Sequence, residues 1–187
     1  ETLAILQELY DDDKYVTYPR TSSNHISQER FDYLHESLYT MTKLADIPLS
    51  ECKPAGKVDG FFVNNKKAAV HAGLTPTTEF PSLEEMESWS NNKRVIYMEG
   101  LKRSLAMFLF KYQYEQTTII TQVGNGKFQT IGRVTARKGW KILWEDTEAL
   151  FDVGDVDEKS LINVSLNDHV VPQLTPVEKH TSKPKLY

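Results

Sequence analysis

Tyr15-Val16-Thr17-Tyr18-Pro19-Arg20-Thr21-Ser22-Ser23-Asn24 is the stretch on which the reading of this chain turns. Its first three residues favour a short strand. Pro19 then holds residue 18 extended, away from the helical region, and a polar loop follows. In an extended segment, residues two apart point to the same side, so Tyr18 and Arg20 can face one ligand. A phenol can act as a covalent nucleophile, but it normally keeps its proton up to about pH 10. A nearby cation stabilises both the phenolate and the extra charge on a phosphate under attack. Guanidinium suits that task because its fork matches phosphate oxygens. Thr21, Ser22, Ser23 and Asn24 add small hydrogen-bonding groups for a phosphate backbone. Read by spacing alone, such a triplet is far more often an inert tyrosine on a surface loop.

Working outward, helices flank this loop. Leu3, Ile5, Leu6 and Leu9 recur at helical spacing over residues 1–10. The pattern starts without a cap, which predicts a segment of a longer protein. A second helix is expected after Ser27, an N-cap residue, with Phe31, Leu34, Leu38 and Met41 on one face. Prolines at 48, 54, 76 and 81 and glycines at 56, 60 and 73 break residues 46–82 into short pieces. Ser82-Leu83-Glu84-Glu85 is a capping box, and a longer helix is expected from about 93 to 110. At Tyr112 the pattern changes. Thr117–Val123 is β-rich, Gly124-Asn125-Gly126 signals a hairpin, and Phe128–Val134 pairs back. Trp140–Trp144 reads as a third strand, with 161–166 and 170–174 as further ones. The expected class is α+β: a mainly helical part over 12–90 after the helix end at 1–11, a connecting helix over 91–111, an antiparallel β-rich part over 112–175, and a linker over 176–187.

Composition sets limits. The chain has 187 residues, 40% hydrophobic and 26% charged, enough for one fair core or two small ones. No apolar run nears the roughly 20 residues of a membrane span, and no charged-then-apolar leader opens the chain. Cys52 is the single cysteine, which excludes an internal disulfide and a multi-cysteine zinc site and fits a cytoplasmic setting. The net charge of −4 argues against a nucleic-acid partner on average. Acids, however, gather in knots at 11–13, 84–87 and 152–158. Lys127, Arg133, Arg137, Lys138 and Lys141 occupy a stretch with no acid.

Residues 15–23 resemble the active-site segment of the type IA DNA topoisomerases, especially the topoisomerase III branch. A second motif of that family, a histidine followed by an aliphatic and Pro-Thr, is matched by Val70-His71-Ala72-Gly73-Leu74-Thr75-Pro76-Thr77. Tyr114–Thr118, Gly132-Arg133-Val134, Gly139-Trp140 and Thr181–Tyr187 resemble the β-rich region that follows in the family. Two departures stand out. Ser22 replaces the usual acid, which leaves His71 without its expected partner, and Ala72 stands where relatives often carry His or Glu.

The resemblance implies a winged-helix-like domain carrying the tyrosine, followed by a β-rich arch. It implies that Tyr18 attacks a phosphodiester of single-stranded DNA, with Arg20 on the scissile phosphate. Thr21, Ser23, His71 and Thr77 would contact the strand. It also implies magnesium, held by a separate TOPRIM domain whose glutamate and Asp-x-Asp signature this sequence lacks. Asp11-Asp12-Asp13 and Asp155-Val156-Asp157 read instead as solvated turns, so no metal site is expected in this chain, and the isolated segment is expected to be inactive. The alternative is a non-enzymatic winged-helix DNA-binding module with 133–141 as its wing. A plain interaction module leaves the ordered motifs unexplained. Tyrosine recombinases and relaxases demand Arg/His or His-x-His patterns that do not occur here.

Overall fold

The computed structural model of the chain describes residues 1–53, 61–69, 71–150 and 165–169. Six α-helices and one β-hairpin form its frame: α1 (Thr2–Asp11), α2 (Gln28–Glu36), α3 (Leu38–Leu44), α4 (Asn65–Ala68), α5 (Leu83–Ser88), α6 (Asn91–Ala106), β1 (Gln113–Val123) and β2 (Gly126–Arg137). Short 3-10 turns lie at Leu49–Glu51 and Gly139–Leu150, the latter kinked at Trp144.

Serine caps start two helices where the sequence places them, after Ser27 and Ser82, while the long helix expected over about 93–110 runs from Asn91 to Ala106 after a cap at Ser90. Ser27 Oγ accepts the Arg30 amide, Ser82 Oγ the Glu85 amide and Ser90 Oγ the Lys93 amide, each at the N-terminus of its helix. The single helix expected after Ser27 is two helices. Ser37 donates its hydroxyl to the Tyr33 carbonyl at 2.8 Å, and the chain leaves helical geometry there (φ −87°, ψ 3°) before resuming at Leu38. Both pieces still deliver Leu34, Leu38 and Met41 to the interior.

α6 joins two apolar clusters. Tyr97 and Leu101 pack with Leu9, Val16 and Met86. Leu105 and the following Phe108 and Leu109 pack with Ile26, Leu34, Leu38 and Met41. Their spacing along α6 is that of one helical face. Lys93 fastens α1 to α6, reaching Glu8 at 2.6 Å and Asp13 at 2.7 Å. Burial opposes its charge, but the hydrogen bonds to Asp13 and Glu8 outweigh burial and raise its pKa.

β1 and β2 form a two-stranded antiparallel sheet closed by a turn at Gly124-Asn125, with Val123 facing Gly126 and a bulge between Gln113 and Tyr114. Trp140–Trp144 is not the third strand its aromatic and β-branched residues suggest. Gly139 turns the chain with φ +53°, so close to its neighbours that a Cβ would sit 2.4 Å from the Phe110 carbonyl. The 3-10 turn that follows sends Leu143 into the core beside Phe108 and Leu109. The expected strands at 161–166 and 170–174 lie outside the described residues, except that Ser165–Asp168 forms a turn. No described helix is long and apolar enough to cross a membrane.

Candidate active site around Tyr18

Two loops distant in sequence are laced into one block. Residues 15–17 run antiparallel to 75–77: the Thr17 amide donates to the Thr75 carbonyl at 2.9 Å and the Thr77 amide to the Tyr15 carbonyl at 3.1 Å. Thr17 Oγ1 accepts the Thr75 amide at 3.1 Å. The expected strand at 15–17 is thus a single bridge, Val16 opposite Pro76. α2 supports it from behind, where the Tyr33 hydroxyl donates to the Pro76 carbonyl and lies 3.0 Å from Thr75 Oγ1. Burial pushes the Tyr33 phenol up, which keeps it a donor. Farther along, the Gly73 amide donates to the His25 carbonyl at 2.8 Å, and the Thr21 hydroxyl meets the His71 carbonyl at 3.0 Å.

Tyr15 and Tyr18 flank this bridge with opposite fates. Tyr15 turns inward and donates to Glu85 at 2.8 Å. Burial first, then that hydrogen bond, pushes its pKa up to about 12, a state unsuited to a nucleophile. Tyr18 is 41% exposed. Its ring stands edge-on to Tyr10 (centroids 5.4 Å apart) and leans toward His71 (5.9 Å, 31° between planes). So Tyr18 is fixed on two sides by rings while its hydroxyl end can meet a ligand. An open cleft of about 340 Å³ lies against it, lined also by Lys14, Arg30 and Thr77.

The sequence-derived site residues fall into groups. Tyr18, Thr21, His71 and Thr77 converge. Thr21 braces the His71 loop, and Thr77 Oγ1 donates to the Lys14 carbonyl at 2.6 Å. Ser23 Oγ accepts the His25 amide, shaping the loop. Arg20 is exposed and does not line the cleft, and its guanidinium is held by no described residue. Ser22, in the place of the usual acid, is exposed as well, and the ring next to His71 is that of Tyr18 itself.

Sequence reasoning missed Tyr10, Lys14 and Arg30. Lys14 is a turn residue in an acidic run, and Arg30 reads as the outer face of a helix; only tertiary folding brings them to Tyr18. Among the aromatic side chains away from Tyr18, Phe61 is 77% exposed, while Tyr112 and Tyr114 lie under Lys141 and Arg133 at 4.1 and 4.8 Å.

The acids of the 11–13 knot do not fit a magnesium cage. Asp13 is paired with Lys93, and Asp11 accepts from Gln7; hard cations need several free oxygens converging on one point. Asp155 and Asp157 lie outside the described residues.

A family model described as DNA topoisomerase matches residues 1–187. The chain is similar to the DNA topoisomerase 3 of Bacillus subtilis, 32% identical over an alignment of 187 positions that covers 98% of this chain and 25% of that protein. It is 33% identical over 178 residues to the DNA topoisomerase 3 of Bacillus anthracis, covering 93% of this chain and 24% of that one. Full-length topoisomerase I from Thermotoga maritima shares the fold over 76% of this chain and 23% of its own, with a TM-score of 0.51 and 22% identity. The chain therefore spans about a quarter of the length of the curated relatives it matches.

Proposed function

We propose, for a chain that belongs to the type IA DNA topoisomerase family, that Tyr18 is the nucleophile that opens one DNA strand. The Tyr18 oxygen bonds to a backbone phosphorus while the bond to the 3′ oxygen breaks. The strand's 5′ phosphate is then carried on the tyrosine, and the 3′ oxygen leaves as a hydroxyl, taking up a proton as the phenol gives one away. The phosphotyrosine keeps the energy of the broken linkage, so the reverse attack by the 3′ hydroxyl reseals the strand without ATP. Between the two steps another strand can pass, relaxing or decatenating the DNA.

The observation that carries this reading is the convergence of two separate motifs. The exposed ring of Tyr18 rests against His71, and the loops that bear them share hydrogen bonds at 15–17, 75–77, Thr21 and Gly73. A buried phenol such as Tyr97, whose pKa is raised by desolvation, could do nothing of the kind. Arg20, exposed two residues from Tyr18 and held by no described partner, is free to swing onto the scissile phosphate. His71 would contact that phosphate or the next. Thr21 and Ser23 hold the loop that presents the strand, and Thr77 the wall of the cleft.

In this reading, residues 12–90 are the winged-helix-like tyrosine domain, 91–111 the connecting helix, and 112–175 part of the arch. Residues 1–11 and 176–187 join it to its neighbours. Single-stranded DNA and a TOPRIM domain are the partners, and any magnesium is held by that domain rather than by this chain. The protein would act in the cytoplasm.

Covalent capture tests the assignment. With the chain built into a complete type IA enzyme, denaturant quenching should trap 3′-end-labelled DNA on the protein, since that fragment carries the 5′ phosphate held by the tyrosine. Tyr18→Phe should abolish the trapped species, and Tyr10→Phe should leave it. Trapping that survives in Tyr18→Phe ends the assignment.

A further inference from the structure

We infer that the cleft beside Tyr18 is a second phosphate subsite, in which Lys14 and Arg30 hold a backbone phosphodiester next to the one under attack. The inference rests on the reading of Tyr18 as the nucleophile and adds to it two cationic groups and a place for the strand.

Three independent features of the cleft support it. The first is charge. The chain carries 26 acidic against 22 basic residues, yet the cleft is lined by two cations and no acid. Coulomb attraction for an anion is therefore concentrated at this point against the average of the surface.

The second is backbone geometry. Lys14 has φ +63°, a left-handed conformation that long side chains rarely adopt and that glycine takes freely. Stability alone would favour glycine there. The conformation is held by Thr77, whose hydroxyl donates to the Lys14 carbonyl. Lys14 Nζ is steadied by the Asp11 carbonyl at 2.5 Å and lies 6.0 Å from the Tyr10 ring. A lysine at a position that suits glycine, lining the same cleft as the proposed nucleophile, supplies a cation that the turn itself does not need.

The third is preorganisation of Arg30. Its amide is fixed by the Ser27 cap, and one guanidinium nitrogen donates to the Gly73 carbonyl at 3.4 Å. Guanidinium has further N–H groups for a phosphate. Gly73 lies on the loop of His71, so Arg30 ties the histidine loop to the cleft it lines. Arg20 lies outside that cleft. The two arginines thus divide the task, Arg20 for the reacting phosphate and Arg30 with Lys14 for its neighbour. A strand gripped at two adjacent linkages cannot slide while the backbone is open.

NMR on the 187-residue chain tests this. The probes are a single-stranded oligothymidylate and the same oligomer with charge-free methylphosphonate linkages. The Arg30 side-chain N–H and the Thr77 amide should shift with the phosphodiester oligomer, even at millimolar affinity, and not with the charge-free one. Lys14→Gly and Arg30→Gln should each weaken the interaction about 5-fold or more, since charge-assisted bonds to phosphate are lost. Lys14→Gly should keep or raise the melting temperature, so its loss of binding cannot be misfolding. Absent shifts, equal shifts with both oligomers, or unchanged affinity in both variants would overturn the subsite. Covalent capture separates the two readings. Capture through Tyr18 without these shifts removes only the subsite. Shifts without capture remove the nucleophile and leave an anion-binding cleft.

Discussion

The block around Tyr18 and the β1–β2 hairpin are held in opposite ways. In the helical half, Leu9, Leu34, Met41, Leu101 and Leu105 are fully enclosed, and the site loops are stitched to one another and to α2. In the hairpin, cross-strand pairing is regular from Tyr114 to Val123, yet Gly132 is the one residue of either strand that is buried among the described residues. Ile120 and Phe128 stand 66% and 56% exposed. An isolated two-stranded ribbon is marginal in water, and among the described residues the hairpin is anchored at its base. Phe110 and Gly139 form that base, where the Trp140 amide donates to the Phe110 carbonyl. A nucleophile needs fixed neighbours, whereas an exposed ribbon offers two faces for something else to cover.

The sharpest way to break this contrast is to delete matched side chains in each region. Leu105→Ala should cost about 3–4 kcal/mol in urea denaturation, as an enclosed leucine leaves a cavity. Ile120→Ala should stay within about 0.5 kcal/mol, as surface changes do. Equal costs would show that the ribbon is packed as a core element.

Next in size is the joint between the regions. Gly139→Ala places a methyl against the Phe110 and Lys111 carbonyls in a left-handed conformation. A loss of about 2–3 kcal/mol is expected, combining strain and displaced backbone. Hydrogen exchange should report it first in β1 and β2, with α1 and the loops at Tyr18 unchanged. Faster exchange throughout would mean that the ribbon and the helices share one cooperative unit.

The smallest effect concerns the polar stitching of the site. Tyr33→Phe removes the donor to Pro76 and should cost about 1–2 kcal/mol, because a buried carbonyl loses its partner. Tyr97→Phe, at a hydroxyl with no hydrogen-bond partner among the described residues, should cost less. Alkaline pH sharpens the point. Tyr15 titrates near 12 in the fold against about 10 when unfolded. The folded state then holds a proton the unfolded state has released. This contribution is complete below about pH 10 and is lost as pH rises toward 12. Tyr15→Phe should flatten that part of the stability curve; an unchanged slope would show that burial and Glu85 do not hold the proton on Tyr15.

Much of this was legible in the residues, for reasons that can be named. Ser27 and Ser82 cap because a serine oxygen ahead of an apolar run satisfies free amides, and the chain turns at Gly124-Asn125 because Gly124 takes positive φ freely. The two motifs at Tyr18 and His71 were legible as a pair through their resemblance to the family's ordered motifs. What escaped depends on distant neighbours. Nothing local in His35-Glu36-Ser37 announces a break, since it comes from a serine hydroxyl bonding back to Tyr33. Trp140–Trp144 has strand-like composition, but Gly139 and the pull of Leu143 into the core set its course. Lys14 and Arg30 carry no motif, and their role is created by the fold. Arg20, read beside Tyr18 from alternation and from the family resemblance, lies outside the cleft, on the loop that Pro19 opens.

The bridge between Val16 and Pro76 has a consequence for motion. Loops 15–25 and 71–77 are fastened to each other and to α2, so neither can be displaced without carrying the other. Phenol and imidazole are then passengers in one carriage, and their spacing survives any rotation of the whole. On the proposed reading of Tyr18, such a rotation alters only what is brought to this pair from outside.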